Sequence, residues 1–530
     1  MNLTCTQSRR SFLLSCSASV LTIGCGAVRS NAGFYMLPDQ TDTLTLYDIA
    51  DPPTLDPARS WGFLDGRLTG LIFSNLIRFD HQAKITPDLA SQWNVSKDGL
   101  CYRFNLNPAA KFSNGRPVTA NDVRYSLERV RDPKVASPSG WVVERVSQIN
   151  VINEHAIELQ LKEPFAPFIN LLAMPAASIV PKEEITRCEQ QEIPFGEHPV
   201  GSGPWLLKEW RHDQHILFER NKAYWSQKPK ISKFKIQIIS NPFTAIAEFE
   251  TGRLAAINPT PIVEIPRWRN HPQWRDYTHR AQTLNTDMII FNCGRSPLNK
   301  VKVRQALCQA VDAELLLECV REGAGSISAG PIPPGLDGNQ SQNPQLMNPS
   351  EITQTLDQSG LLERGIDLIM PARENFTRTT GEAIQAIWKQ TGIPVRLRRL
   401  EWVTYRQALR EGRFDAAYRG WFADYPDGDN FLHPLFHSSQ IGQGNMSRFS
   451  DAETDQLIEK SQREFDQQTR KSLLQEANAM VYQKAPALFL WHQSKYIVSQ
   501  PWLRGYSEPL IFNGTRFLEE EIVLPKPSGA

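Results

Sequence analysis

Three residues close together in the chain, Gly420, Trp421 and Asp424, are suited to holding a small ligand. Glycine lets another backbone approach closely, tryptophan offers a flat apolar surface, and a carboxylate binds an ammonium group. They follow the apolar or small run 414–418, which is typical of a strand buried on both faces, and precede the turn-forming run 425–429. The pattern therefore predicts a ligand-binding ledge just past a buried strand. The alternative that Asp424 only caps the following turn stays open from these residues alone.

The composition and the short motifs argue against other chemistry. The chain has 530 residues, 22% of them charged, and a formal net charge of +1, which gives no basic excess for nucleic-acid binding. It contains no Gly-x-Ser-x-Gly, His-Glu-x-x-His or Walker loop. His433 and His437 are four positions apart, but Pro434 between them weakens a helix, so we interpret them as a surface pair. We therefore predict no catalytic residues, cofactor or metal; a peptidase or amidase is the alternative from another class.

The elements around the ledge alternate between strand and helix. Apolar patterning predicts a strand at 366–370, a helix at 379–390 and a helix at 402–410. Such repetition indicates an α/β fold with a parallel or mixed sheet that binds ligands at its carboxyl edge. Arg373 comes just after the first of these strands and is suited to accepting a ligand carboxylate. Pairing of Arg373 with Glu374 on a solvated loop is the alternative.

Local patterns also predict elements in the first half of the chain. Alternating patterns predict strands at 43–49 and 102–106, and apolar residues at helical spacing predict a helix at 68–77. Thr119 is suited to capping a helix start, with Asp122 at the positive end of that helix.

The first residues form an export signal in our interpretation. Arg9 and Arg10, within a Ser-Arg-Arg-Ser-Phe-Leu-Leu run, resemble the twin-arginine signal. The apolar run 12–28 is too short and too diluted to span a membrane, which takes about 20 predominantly apolar residues. Small residues at 30–32 suit cleavage by a signal peptidase, so residues 1–32 are predicted to be a signal peptide and the protein periplasmic. Lipidation at Cys25 is the competing interpretation.

Gly420-Trp421, Asp424-Tyr425, Pro426-Asp427 and the Asn-Phe-Leu run 430–432 resemble the hallmark of the extracellular solute-binding proteins of family 5. These proteins serve oligopeptide, dipeptide and nickel ABC importers. Further blocks that resemble the family are 85–93, 111–117, 200–205 and 303–312, so the resemblance extends over essentially the whole chain after residue 40.

The resemblance implies the two-lobed periplasmic-binding-protein fold of type II, in its large peptide-binding class, with an extra α+β domain on the first lobe. Lobe 1 is then expected to comprise residues 41–73, 196–285 and 500–530. Residues 74–195 form a satellite domain beside the ligand cleft, and its block 85–123 is expected to make no ligand contact. Residues 286–499 form lobe 2.

The resemblance also implies roles for single residues. In peptide-binding members the Gly-Trp segment bonds to the peptide main chain and the acid three residues after the Trp pairs with the α-amino group, which gives these roles to 420–422 and Asp424. An extended segment on the opposite wall corresponds here to Trp61, Gly62 and Phe63. These three residues are expected to face Gly420, Trp421 and Phe422 across the ligand.

On this basis we predict a periplasmic, monomeric receptor that binds oligopeptides between closing lobes. Its partners are the permease subunits of an ABC importer with their cytoplasmic ATPase, and no nucleic acid. Because one fold serves many solutes, a dipeptide, nickel complex, opine or sugar is the alternative ligand.

Overall fold

The computed structural model describes residues 42–340, 347–372 and 375–524. The predicted signal peptide 1–32, with Cys25, and the candidate ligand residue Arg373 lie outside these ranges.

The described strands are numbered in chain order. They are β1 (Thr43–Asp48), β2 (Ile77–Phe79), β3 (Ile85–Pro87), β4 (Ala90–Val95), β5 (Cys101–Leu106), β6 (Val146–Asn153), β7 (Ala156–Leu161), β8 (Trp205–Arg211), β9 (His215–Arg220), β10 (Lys233–Ile238), β11 (Ala256–Ile257), β12 (Thr278–Gln282), β13 (Asn285–Phe291), β14 (Gly325–Ile327), β15 (Ile366–Pro371), β16 (Val395–Leu400), β17 (Ala416–Phe422), β18 (Ala487–Ser499), β19 (Leu503–Arg504) and β20 (Glu521–Ile522).

The described α-helices are numbered in the same way. They are α1 (Phe63–Ile72), α2 (Ala120–Arg131), α3 (Phe168–Leu171), α4 (Lys182–Gln190), α5 (Pro242–Glu250), α6 (Ile265–Arg269), α7 (Val301–Gln309), α8 (Ala313–Arg321), α9 (Pro349–Asp357), α10 (Leu361–Arg364), α11 (Asn375–Gln390), α12 (Trp402–Glu411), α13 (Asp429–Phe436), α14 (Ala452–Arg463) and α15 (Gln467–Lys484). None of these helices combines the length and apolar character that a membrane span needs.

Two four-stranded sheets come mostly from the first half of the chain. The first sheet has the order β1-β10-β9-β8, with β1 parallel to β10 and the other pairs antiparallel. Trp205, Phe218 and Phe234 fill its core. The second sheet, β4-β5-β7-β6, is antiparallel throughout. Beside it, α2 begins with the predicted cap, because Thr119 and Asp122 form a capping box.

The third sheet carries the strand–helix repeat of the second half. Its order is β11-β18-β13-β17-β15-β16, with β12 and β14 also paired to β18. Strands β15 and β16 are parallel, whereas β17 is parallel to β15 and antiparallel to β13. The mixed sheet expected from the repeat is therefore confirmed. The fully buried Trp388 and Trp491 lie in its core, and α11 and α12 cover the predicted helices.

Two predicted elements are displaced. The helix expected at 68–77 is α1, which ends at Ile72 because Phe73 takes an extended backbone with φ −111° and ψ 161°. The Ile72 carbonyl then accepts a hydrogen bond from the Gly203 N–H at 2.8 Å. The ledge strand expected at 414–418 is β17, Ala416–Phe422. It continues past Tyr418 because its antiparallel partner β13 extends to Asn285, opposite Phe422.

One cluster of buried side chains runs from the second sheet to the helices beside the third. It includes Phe104 and Phe168 on one side and Phe431 and Leu474 on the other. The Ala166 N–H also donates to the Gln462 carbonyl at 2.7 Å across this boundary. The second sheet therefore packs against the region that carries the ledge.

Candidate functional site

A cavity of about 760 Å³, the central cavity, lies between the second sheet and the segment after β17. Its size is within the range of small-molecule sites in proteins. Side chains from three separate stretches of chain line it, including Trp61, Trp141, Arg145, Lys162, Phe165, Trp421, Asp424, Tyr425, Asp429, Asn430 and His433.

Asn430 of α13 connects the two predicted ledge residues that line this cavity. Its Oδ1 accepts from the Trp421 indole N–H at 3.2 Å and from the Asp424 backbone N–H at 3.0 Å. Its Nδ2 donates to Asp424 Oδ2 at 3.4 Å. The buried amide therefore holds the indole and the carboxylate segment in one arrangement. Sequence reasoning assigned Asn430 no role of its own, although it belongs to the Asn-Phe-Leu run.

The Asp424 carboxylate has no cationic partner within the described ranges. No described lysine, arginine or histidine nitrogen lies within 4.0 Å of its oxygens, and the Asn430 amide supplies its one side-chain hydrogen bond among the described residues. Burial raises the pKa of Asp424, against the smaller opposing effect of Asn430. Such a carboxylate at a cavity wall is suited to pairing with a cationic group of a ligand.

The turn after Asp424 is capped by a different residue. Asp427 Oδ1 accepts from the Asp429 backbone N–H at 2.9 Å, and Arg470 holds the same carboxylate through two hydrogen bonds of 2.7 and 3.0 Å. The capping role that could have explained Asp424 is thus filled by Asp427.

Trp61 reaches the cavity from the segment before α1. Its side chain is 69% exposed, and its backbone N–H donates to Asp65 Oδ2 at 2.9 Å. Asp65 is fully buried, so this bond fixes the backbone that carries the indole.

The second sheet and its connections supply a wall that the sequence did not predict. Trp141 and Phe165 line the cavity, and the Trp141 ring lies 6.2 Å from that of Tyr425, centroid to centroid. Arg145 lies over the Phe165 ring at 4.2 Å and pairs with Glu163. The lining residues of the satellite region lie within 138–174, outside the block 85–123 to which no ligand contact was assigned, so that assignment stays a prediction. Periodicity assigned these residues to local elements, and it carries no information on which distant segment they meet.

Two titratable groups on the α13 side have displaced pKa values. Burial, and then the neighbouring Asp427, raises the pKa of Asp429 to about 6. Burial, and then His437 and Arg145, lowers the pKa of His433 to about 4. The two histidine rings are 4.9 Å apart and His437 is buried, so the interpretation as a surface pair is wrong. The helix forms despite Pro434 because Phe431, Leu432 and Leu435 bury its apolar face.

Four of the predicted ligand residues are described but do not line the central cavity, namely Gly62, Phe63, Gly420 and Phe422. Gly62 is the N-cap of α1, and the Phe63 ring packs 5.3 Å from that of Phe512, so these two residues do not continue the extended wall expected after Trp61. Gly420 lies opposite Asp287 in the ladder, and a Cβ added there would meet Asp287 Oδ1 at 3.0 Å. Phe422 is 47% exposed at the strand end. Arg373 lies outside the described residues, and its contact with a carboxylate stays a prediction.

No group of three or more histidine, cysteine, aspartate or glutamate side chains that could hold a metal ion occurs in the described part of the chain.

Comparison with known proteins agrees with this architecture. The chain is similar to heme-binding protein A of Haemophilus influenzae, with 28% identity over 82% of this chain and 84% of the relative. It is similar to the dipeptide-binding protein of Escherichia coli, with 27% identity over 82% and 86% of the two chains. The structure of the periplasmic binding protein DppA from Helicobacter pylori with the peptide STSA matches 92% of this chain and 99% of its own, with a TM-score of 0.78 and 25% identity.

The fold is therefore that of the two-lobed periplasmic binding proteins. The profile of the bacterial extracellular solute-binding proteins, family 5, matches residues 84–443, and the chain belongs to this family.

Proposed function

We propose that this protein is the periplasmic receptor of an ABC importer and binds oligopeptides in the central cavity. The observation that carries the proposal is the Asp424 carboxylate, which faces the cavity beside Trp421 and has no cationic partner among the described residues. A free peptide brings an α-ammonium group, which supplies the missing charge.

Relatives support a peptide as the ligand. The Helicobacter pylori protein carries the peptide STSA in its structure, and the Escherichia coli relative is named as a dipeptide-binding protein. In our proposal the peptide leaves the cavity unchanged, without a catalytic step.

The arrangement of the sheets supports three domains with the boundaries expected from the sequence. The first sheet is drawn from 41–73 and 196–285, and the second lies wholly within 74–195. Strand β18 pairs both with β13 and with β11 and β12 of the lobe 1 range, so we propose that this strand links the lobes. The lobes then close on ligand as in other hinged binding proteins.

Identification of the ligand that the protein carries from the cell tests whether this ligand is a peptide. The protein is purified from a periplasmic extract without denaturation, and native mass spectrometry measures the mass of what it carries. Masses that fragment as intact peptides support the proposal. A bound species without peptide fragmentation contradicts it.

Heme is the second candidate, because the Haemophilus influenzae relative is named as a heme-binding protein. Titration with hemin, followed by its absorption spectrum, distinguishes the two. Saturable hemin binding that peptide does not displace would favour the second candidate.

A further inference from the structure

A second cavity, the arginine groove, lies on the third sheet and shares no lining residue with the central cavity. Its volume is about 610 Å³. Five guanidinium groups line it against two carboxylates, an excess of three positive charges in a chain whose net charge is only +1. The arginines are Arg295, Arg396, Arg398, Arg413 and Arg448, and the acids are Asp367 and Glu411.

The two acids of the groove pair differently, because Glu411 pairs with Arg413 at 2.5 Å whereas Asp367 is shared between two arginines. Asp367 lies opposite Arg396 in the β15–β16 ladder and accepts from both Arg396 Nε, at 3.3 Å, and Arg398 Nε, at 2.8 Å. Behind the wall, Asp415 pairs in the same way with Arg295, at 3.3 Å, and with Arg364. Including Arg364 and Asp415, six guanidinium groups face three carboxylates, and the excess of three remains.

A backbone carbonyl orients the Arg448 guanidinium, which pairs with no acid in the described part of the chain. Its NH2 donates to the Arg410 carbonyl at 2.7 Å, and no carboxylate of the described residues lies within 4.0 Å of it. A Cβ added to Gly412 would come within 2.5 Å of Arg448 Nε, so the side chain occupies space that only glycine leaves free. Arg448 itself has a φ of 55°, which is uncommon for a residue with a side chain.

Protection of a sheet edge accounts for only part of this cluster. Strand β16 is an edge strand, and charged side chains on an edge hinder pairing with other chains. That explains Arg396 and Arg398. It does not explain Arg295, Arg413 or Arg448, which come from loops outside the edge strand and converge on the same groove.

We infer that the arginine groove binds a compact multivalent oxyanion of the phosphate or polycarboxylate class. Guanidinium groups match both classes through paired N–H donors, and the shared carboxylates leave donors unused. The site is independent of the central cavity and of its ligand.

Calorimetry on the full mature protein at low ionic strength tests the inference. Pyrophosphate and citrate are the two probes, because they separate the phosphate from the carboxylate class, and acetate is the monovalent control. We expect saturable binding of at least one probe and much weaker binding of acetate. Absence of binding by both probes at millimolar concentration overturns the inference.

Variants locate the site. Arg413→Gln and Arg396→Gln change side chains that are 58% and 73% exposed, so both variants are expected to fold. Each should weaken binding of the probe about tenfold, the effect of losing one charge-assisted contact. Arg448→Gln should cost at least as much, and Arg448→Lys less than Arg448→Gln.

The matched control is Arg275→Gln, because Arg275 is 66% exposed and pairs only with the neighbouring Asp276 among the described residues. It should leave the affinity for the probe unchanged. An equal loss in Arg275→Gln and Arg413→Gln would mean nonspecific attraction by net charge and would overturn the inference.

Discussion

At the scale of single residues, the Asp424 carboxylate has the most direct expected effect on binding. If it pairs with a ligand ammonium in the central cavity, Asp424→Asn should weaken binding of free peptides by about 2 to 5 kcal/mol, the range for truncating one partner of a buried charge pair. An N-acetylated peptide lacks that charge, so it should bind the wild type poorly and lose little in the variant. Calorimetry measures the affinity of the wild type and of Asp424→Asn for the free and the N-acetylated form of one peptide. The four affinities give the coupling energy between Asp424 and the peptide α-ammonium group.

Glu144→Gln serves as the control for this cycle, because Glu144 is an exposed carboxylate that also lines the cavity. It should change the affinity by much less than Asp424→Asn. A coupling energy near zero between Asp424 and the peptide terminus would contradict ammonium recognition.

Asp429 gives a pH-dependent prediction. Its pKa of about 6 lies above the ordinary aspartate value of 3.8, so the native protein binds this proton more tightly than the unfolded chain. The free energy of unfolding should therefore fall as the pH rises from about 4 to about 6. At about 1.4 kcal/mol per pKa unit, the fall approaches about 3 kcal/mol.

Denaturant unfolding between pH 4 and pH 7 measures this effect. Asp429→Asn removes the titrating group, so the free energy of unfolding of the variant should lack this pH dependence. The stability of the wild type relative to the variant should therefore fall as the pH rises. A constant difference contradicts the assignment, and Asp276→Asn, which alters an exposed carboxylate, should leave the pH dependence unchanged.

At the scale of elements, the contact between the α14–α15 connection and the turn between β4 and β5 is expected to stabilise the closed form. The Phe465 ring lies directly on Gly99, within 2.2 Å of where a Cβ would be, so a side chain at position 99 would displace the ring. Phe465→Ala removes apolar burial of about 1 to 2 kcal/mol. If this contact forms only on closure, peptide affinity should fall about 5- to 30-fold.

Phe243→Ala is the matched control, since Phe243 is 56% exposed on α5. Calorimetry should show an affinity close to wild type for this variant. Unchanged affinity in Phe465→Ala would mean that the contact is equally present in both forms.

At the scale of the whole molecule, ligand should compact the protein. A ligand that contacts two lobes favours the closed form by its differential affinity for that form. Small-angle scattering with saturating peptide should give a smaller radius of gyration than without. An unchanged radius at saturation contradicts closure.

A second prediction for the whole chain is that its export depends on the twin-arginine signal. If Arg9 and Arg10 are the recognition element of a twin-arginine signal, Arg9→Lys with Arg10→Lys should leave unprocessed precursor in the cytoplasm. Immunoblotting of cell fractions measures this. Normal processing in a strain without the twin-arginine translocase would contradict the signal type.

Local sequence determined the elements and the chemistry of the ledge. The strand–helix repeat from 366 to 422, the cap at Thr119 and the placing of a tryptophan and an aspartate at the end of β17 all follow from period, propensity and residue type. These features depend only on residues that are neighbours in the chain, so they can be predicted before the rest of the fold is known.

Local patterns did not decide which residues meet at the cavity, and the meeting of Trp61 with Trp421 was expected only from the family resemblance. Trp61 and Trp421 are 360 positions apart and line the same space, whereas Phe63, two residues from Trp61, packs on Phe512 because helix α1 begins there. Trp141 joins the wall because the second sheet packs against the α13 region. Such meetings depend on how separate sheets pack, and neither the spacing nor the periodicity of one segment encodes the distance to another.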